Sequence, residues 1–248
     1  MGYWPIVYGL LRKCDILLFI LDVRMPELSR NRTLEKVIES KRKKVIYVFN
    51  KIDLVSKDYL EDIKSRHHGF FVSGSRNIGI SDLRRNLWII ASRMKLNEPR
   101  IGVVGYPNVG KSAVINALAR SAKAKVSKHA GTTKGVQWIK AGGLSILDSP
   151  GVIPFQDKET VLGVMGAKDS EKLKDALKSA FEVIKLIIEY DKSILEKAYD
   201  IKISNQEPYE ILMEIGKKKG FLLKGGKTDE NRAAFFVIKD WKEGKLRL

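Results

Sequence analysis

The chain has 248 residues, 44% hydrophobic and 30% charged, a balance that excludes a disordered or fibrous chain and allows one large domain or two modest ones. A single cysteine, Cys14, excludes a disulfide framework and a multi-cysteine zinc site. The formal charge of +17 predicts a polyanionic partner, and residues 1–157 carry 27 Lys and Arg against 13 Asp and Glu, whereas 158–248 carry 19 against 16.

The opening MGYWPIVYG holds no targeting signal, since Ile6 stands where myristoylation needs Ser or Thr. Tyr3 and Trp4 read as packing residues, with stacking on RNA bases as the other use. The first apolar run, ILLFIL at 16–21, is too short to span a bilayer, so a cytoplasmic protein with no membrane partner is expected. ILLFIL, VIYVF (45–49), FFV (70–72) and IGVVG (101–105) are short and β-branched or aromatic with little alternation, as strands buried on both faces read. Amphipathic helical patterns fill 31–42, 57–67 and 80–95 between them, and a further helix is expected at 111–120. VQWIK (136–140) and LSIL (144–147), joined by the short AGG, predict a hairpin and one antiparallel edge. The alternation predicts an α/β fold, a doubly wound and mainly parallel sheet. After about residue 158, helical patterns run at 169–190, with Asp169 or Ser170 as cap, and near 192–200, 207–219 and 228–243. A small all-α domain over 158–248 is therefore expected to follow the α/β domain of 1–157.

The motifs sit at the carboxyl ends of the predicted strands. GYPNVGKS (105–112) fits G-x-x-x-x-G-K-[ST] directly after a strand and directly before a helix. Gly105 and Gly110 permit a tight turn, and backbone N–H groups over Asn108, Val109, Gly110, Lys111, Ser112 and Ala113 would cradle phosphate oxygens. Lys111 would reach the β- and γ-phosphates, and the Ser112 hydroxyl would meet Mg²⁺. NKID (50–53) places Asp53 to accept from N1–H and the 2-amine of guanine, with Asn50 and Lys51 bracing the loops around the base. By itself, Asp53 has a helix cap in a surface turn as its other reading. VSGS (72–75) offers Ser73 and the Gly74 N–H to the guanine carbonyl, or is a plain turn. In LDSPG (147–151), Asp148 would hold Mg²⁺ through water and the Gly151 N–H would meet the γ-phosphate. In GTT (131–133), Thr133, or else Thr132, would complete the Mg²⁺ shell. These residues together imply a site for GTP or GDP with Mg²⁺. A P-loop ATPase or small-molecule kinase is the competing enzyme reading, and NKID argues against it.

The order NKID, VSGS, GYPNVGKS, GTT, DSPG resembles the circularly permuted GTPases, in detail the YlqF/RbgA group of ribosome-assembly GTPases. LDVRMPELSRN (21–31) and LLKGGKTDENRAAFFVIKDWKEGKL (222–246) extend the resemblance over nearly the whole chain. It implies a circularly permuted G domain, P-loop NTPase in type, that hydrolyses GTP as a switch. It also implies a partner, the large ribosomal subunit or its precursor with its rRNA, and not DNA. Lys111, Thr133 and Gly151 would carry the catalytic contacts. Val152 stands where many GTPases have a water-orienting glutamine, so slow turnover alone and activation by the ribosomal particle are expected. Some relatives carry a Pro-Gly-His segment in a longer N-terminus, which MGYWPIVYG does not show. Asn108 resembles the asparagine that holds a stimulating K⁺ in some such GTPases; simple loop geometry is its other reading. The lysines of KKK (217–219), Lys224 and Lys227 would contact rRNA, or form a solvated face. A nucleotide-gated RNA-binding scaffold and a tRNA-directed GTPase are the alternatives.

Overall fold

ILLFILD forms the central strand β1 (Ile16–Asp22), buried along its whole length as its unbroken apolar run requires. In this computed structural model, which describes residues 4–121, 128–129, 137–148, 163–164, 176–204 and 207–248, the chain divides into two compact units, 1–155 and 156–248.

In the first unit β1 lies between β2 (Lys44–Asn50) and β4 (Arg100–Val104), with β3 (Phe70–Phe71) outside β2. Beyond β4 come β7 (Leu144–Asp148), β6 (Gln137–Ala141) and β5 (Lys128–His129), giving a seven-stranded sheet in the order β3-β2-β1-β4-β7-β6-β5. β1 runs parallel to both neighbours, with Asp22 opposite Asn50 and Phe19 opposite Val104. β6 is antiparallel to β7, the expected hairpin, but it is not the sheet's edge: β5 pairs outside it, His129 opposite Trp138. Two residues in a basic stretch give no periodicity by which β5 would be seen.

Helices α2 (Arg32–Ser40), α3 (Lys57–Arg66), α4 (Ile80–Arg93) and α5 (Lys111–Ser121) occupy the expected segments. Asn31 caps α2 by accepting from Leu34 N–H, and Ser56 caps α3 by accepting from Tyr59 N–H. The Arg84 guanidinium of α4 donates to the carbonyls of Leu118, Ala141 and Gly142, stapling the end of α5 to the hairpin turn. An additional helix, α1 (Trp4–Lys13), precedes β1. Its Val7, Leu10 and Leu11, followed by Cys14, are buried at helical spacing. Gly102 of β4 admits this face, since a Cβ there would stand 2.7 Å from Leu10 Cδ2 and 2.9 Å from Cys14 Sγ. Each fully buried Leu, Ile or Phe of this core stabilises by about 1.5–3 kcal/mol relative to exposure.

In the second unit the described elements are α6 (Ala176–Asp191), α7 (Ser193–Tyr199), α8 (Pro208–Lys218) and α9 (Glu230–Lys242). The expected caps Asp169 and Ser170 lie outside the described residues. α9 packs along α6, its Trp241 fully buried with Nε1 donating to the Val164 carbonyl at 3.2 Å. Asp229 caps α9, and a single bridge between Leu222 and Thr228 closes the glycine-rich loop before it. No helix among the described residues is long and apolar enough to cross a membrane.

Candidate functional site

Because β1, β2, β3, β4 and β7 are parallel, the residues at and after their carboxyl ends line one edge of the sheet. β1 is flanked by β2 on one side and β4 on the other, so the strand order reverses between β1 and β4, where open α/β sheets bind ligands. Three of the predicted motifs, the loop 105–112, NKID and VSGS, lie there.

The turn after β4 requires glycine twice. Gly105 has φ +145°, with any Cβ 2.5 Å from the Ile20 carbonyl oxygen, and Gly110 has φ +94°, with any Cβ striking Asn50 Nδ2. Asn108, exposed, adopts φ +60° without being glycine. Lys111 is 7% exposed, its ammonium donating to the carbonyls of Gly105 (3.1 Å) and Tyr106 (2.8 Å). It thus sits inside the curve of the loop, at the start of α5. The N-terminal end of that helix, with Ser112 exposed and Ala113 half-buried in its first turn, is a setting for anions.

Asn50 joins three loops. It is 2% exposed; Nδ2 donates to the Val109 carbonyl at 2.9 Å and Oδ1 accepts from Gly74 N–H at 3.0 Å. Gly74 lies against the start of α5, where a Cβ would stand 2.7 Å from Ala113 C and Val114 N. The phosphate-type loop, NKID and VSGS are thereby held in one site although Val109 and Asn50 are 59 residues apart.

Asp53 has one carboxylate oxygen, Oδ1, buried without a hydrogen-bond partner, while Oδ2 accepts from Ser75 Oγ at 3.4 Å. An unsatisfied buried acceptor costs about 1–3 kcal/mol, which two N–H donors on one heterocycle edge would offset. Guanine presents such an edge and adenine does not, so these residues fit guanine. Ser73 is differently engaged from expectation. Its buried hydroxyl accepts from Arg76 N–H at 3.1 Å and lies 3.0 Å from Ser75 Oγ, which shapes the turn and leaves Ser75 as the hydroxyl beside Asp53.

Lys51 occupies the left-handed region at φ +71°, strain of order 1–3 kcal/mol for a non-glycine residue. Its ammonium donates to Asp22 Oδ2 at 2.7 Å. Asp22, fully buried at the end of β1, also accepts from Arg24 Nη2 (2.8 Å), Nε (3.1 Å) and backbone N–H (3.1 Å). Burial alone would push the Asp22 carboxyl up, but the charges of Arg24 and Lys51 outweigh it and hold the group well below the usual carboxylate range. Burial pushes the Lys51 ammonium down, against the attraction of Asp22. Sequence reasoning assigned no role to Asp22, Arg24 or Ser75; a signal for the first two lay in LDVRMPELSRN, which places two opposite charges at the end of a buried strand.

Asp148 is the last residue of β7, in register with Val103 of β4. Thr132, Thr133, Gly151 and Val152 lie outside the described residues. Among the described residues no group of three or more His, Cys, Asp or Glu is placed to hold a metal. The exposed Ser112 hydroxyl is a hard oxygen donor, which suits Mg²⁺ held jointly with phosphates rather than a closed protein cage.

The family model for RsgA GTPases matches residues 10–157, and that for 50S ribosome-binding GTPases matches residues 100–222. The chain is similar to the GTP-binding protein MJ1464 of Methanocaldococcus jannaschii, 39% identical over 244 residues, which are 97% of this chain and 65% of that protein. It is 32% identical to nuclear/nucleolar GTPase 2 of Arabidopsis thaliana over 98% of this chain and 43% of that protein. It is 30% identical to the nuclear GTP-binding protein NUG1 of Saccharomyces cerevisiae over 99% of this chain and 55% of that protein. The chain thus spans under two thirds of the length of these relatives. Among solved structures, YlqF from T. maritima in its GNP-bound form matches with a TM-score of 0.59 at 22% identity, covering 98% of this chain and 94% of that one. The GDP-bound form matches with a TM-score of 0.60 over 97% and 95% of the two chains. At this identity the likeness is one of fold, with the strands and loops in permuted order.

Proposed function

The chain belongs to the RsgA GTPase family, with the circularly permuted fold that YlqF also has, and from that premise we propose that it is a Mg²⁺-dependent GTPase serving as a GTP-switched assembly factor for the large ribosomal subunit. The observation that carries the nucleotide half is Asn50, whose one amide ties the Asp53 turn, the Gly74 turn and the Val109 loop together at the strand-order reversal. Asp53 takes the guanine edge, and the loop 105–112 with Lys111 holds the phosphates. Ser112, Thr133 and Asp148 would hold Mg²⁺, which would supply neutralisation of phosphate charge. Water attacks the γ-phosphorus, the bond to the β-phosphate oxygen breaks, and Lys111 and the Gly151 N–H stabilise the charge that develops. Val152 offers no hydrogen bond to orient that water, so turnover alone is slow, and the ribosomal particle supplies what is missing.

The partner half rests on charge and kinship. The basic excess of residues 1–157 suits rRNA, and one matching family is described as 50S ribosome-binding. Residues 149–157 lead by chain order into residues 158–248, so a response to γ-phosphate there would be passed along the chain to the helical domain, which we take as the arm that contacts rRNA. Asn108 would hold a K⁺ beside the phosphates.

The test is GTP hydrolysis with and without purified large subunits, in K⁺ and in Na⁺. Stimulation by the subunit of about tenfold or more, about 1.4 kcal/mol off the barrier, is expected. GDP should compete with GTP and ATP should not; a faster rate in K⁺ without subunits would give Asn108 its ion. No stimulation, together with subunit binding indifferent to GTP, would leave a guanine-nucleotide protein acting on another RNA.

A further inference from the structure

We infer that the Asp22–Arg24 pair positions the base-reading turn, setting how tightly and how selectively the site holds guanine. The inference rests on the guanine-nucleotide reading above and deepens it. Asp22 and Lys51 are 29 positions apart, and Asp22 and Arg24 lie outside NKID, VSGS, GYPNVGKS, GTT and DSPG.

The turn is tied on three sides. Its backbone is held where Val23 N–H donates to the Asn50 carbonyl at 3.0 Å and where Ile52 N–H donates to the Val72 carbonyl at 3.2 Å. The third tie is the Lys51 ammonium on Asp22, drawn from a residue whose own backbone is in the left-handed region. That anchor is itself immobilised. The Asp22 N–H donates to Ser29 Oγ, whose hydroxyl donates to the Pro26 carbonyl, and Arg24 grips both carboxylate oxygens from within the core. The circuit closes through α3, the helix directly after the turn: Tyr59 Oη donates to the Arg24 carbonyl at 2.8 Å. Burial pushes the Tyr59 phenol up to about 12, so it stays a donor.

A ring of contacts therefore runs from β1 through Asp22 and Lys51 to the turn, then through α3 and Tyr59 back to Arg24. Asp53 stands inside it, two residues beyond Lys51. A buried ion pair is weak evidence for stability, because an apolar pair of equal volume does as well or better. Here the carboxylate carries a second, half-buried cation from the recognition turn, and that connection is what an apolar pair would not make.

The experiment compares wild type, Asp22→Asn/Arg24→Gln, Lys51→Met and the triple combination. The paired substitution leaves no buried arginine facing a missing charge. Each protein is titrated with GDP and with inosine diphosphate, which lacks the 2-amino group, and its folding is followed by circular dichroism melting. The paired variant is expected to melt cooperatively, to bind GDP about tenfold more weakly, and to distinguish GDP from inosine diphosphate less well than wild type. In the Lys51→Met background the same two substitutions should change affinity by less than about twofold, because the tie is already cut. Equal losses in both backgrounds, or unchanged GDP affinity and discrimination, overturn the inference. Should the paired variant not fold, Tyr59→Phe removes only the α3 hydroxyl and should speed GDP release by about two- to threefold in wild type but not in the Lys51→Met background; equal effects there overturn it too. Absence of guanine-nucleotide binding by wild type would overturn the parent reading, and the inference with it.

Discussion

The side chain of Asn50 donates to one loop and accepts from another, and a Cβ on Gly110 would collide with Asn50 Nδ2. Both facts concern individual atoms, and so does the choice of base. Replacing Asp53 by Asn turns one carboxylate oxygen into an N–H donor, which meets the 2-amine of guanine donor to donor. The same amide complements xanthine, whose position 2 carries an oxygen. Asp53→Asn is expected to weaken GDP binding by at least about tenfold and to strengthen xanthosine diphosphate binding, measured by competition with a fluorescent nucleotide. Loss of GDP affinity with no gain for xanthine would mean that Asp53 acts on the loop and not on the base. Asn50, Lys51 and Asp53 were legible in the sequence because their spacing after a buried strand is a local signal. Asp22, Arg24 and Ser75 were not, because their roles arise from the β1–β2 register and from the return of the chain after β3.

At the scale of elements, long apolar runs and capped amphipathic stretches were legible, while short or interrupted ones were not. β1 and β2 are plain in the sequence, whereas the pattern of α1, where Val7, Leu10, Leu11 and Cys14 repeat at helical spacing, is obscured by Pro5 and Gly9 within ten residues. How an element is seated also depends on residues that lack side chains. Gly74 lets the turn after β3 rest on the first turn of α5, with no room for a methyl between it and the Ala113 and Val114 backbone. Gly74→Ala is expected to destabilise the protein by about 1–3 kcal/mol and to weaken GDP binding, seen together in denaturant titrations with and without nucleotide. A variant of unchanged stability would show that the turn moves aside at no cost.

For the molecule as a whole, the uneven charge matters more than any single lysine. With 27 basic against 13 acidic residues in residues 1–157, association with the proposed rRNA partner would release counterions, so affinity would fall as salt rises. Binding to large subunits should weaken on the order of 10- to 100-fold between about 0.1 and 0.3 M K⁺, measured by co-sedimentation with non-hydrolysable GTP. Salt-independent binding would indicate a protein-to-protein contact in place of an RNA one. Permutation belongs to this scale as well. It alters no strand neighbour, since β4 still pairs with β1 and β7, and changes only which loops carry the chain onward.

From the sequence alone came the parallel α/β sheet, the helical segments after it and the candidate phosphate and guanine motifs. Each of these is set by local periodicity, or by glycine, lysine and aspartate at fixed short spacing. The tertiary structure alone decided that one asparagine joins three loops, that Ser73 shapes its turn while Ser75 faces Asp53, and that Lys51 is anchored on a carboxylate 29 residues away. Such contacts depend on which strands lie side by side and in what register. That is settled by burial of the whole sheet, not by the neighbours of any one residue in the chain.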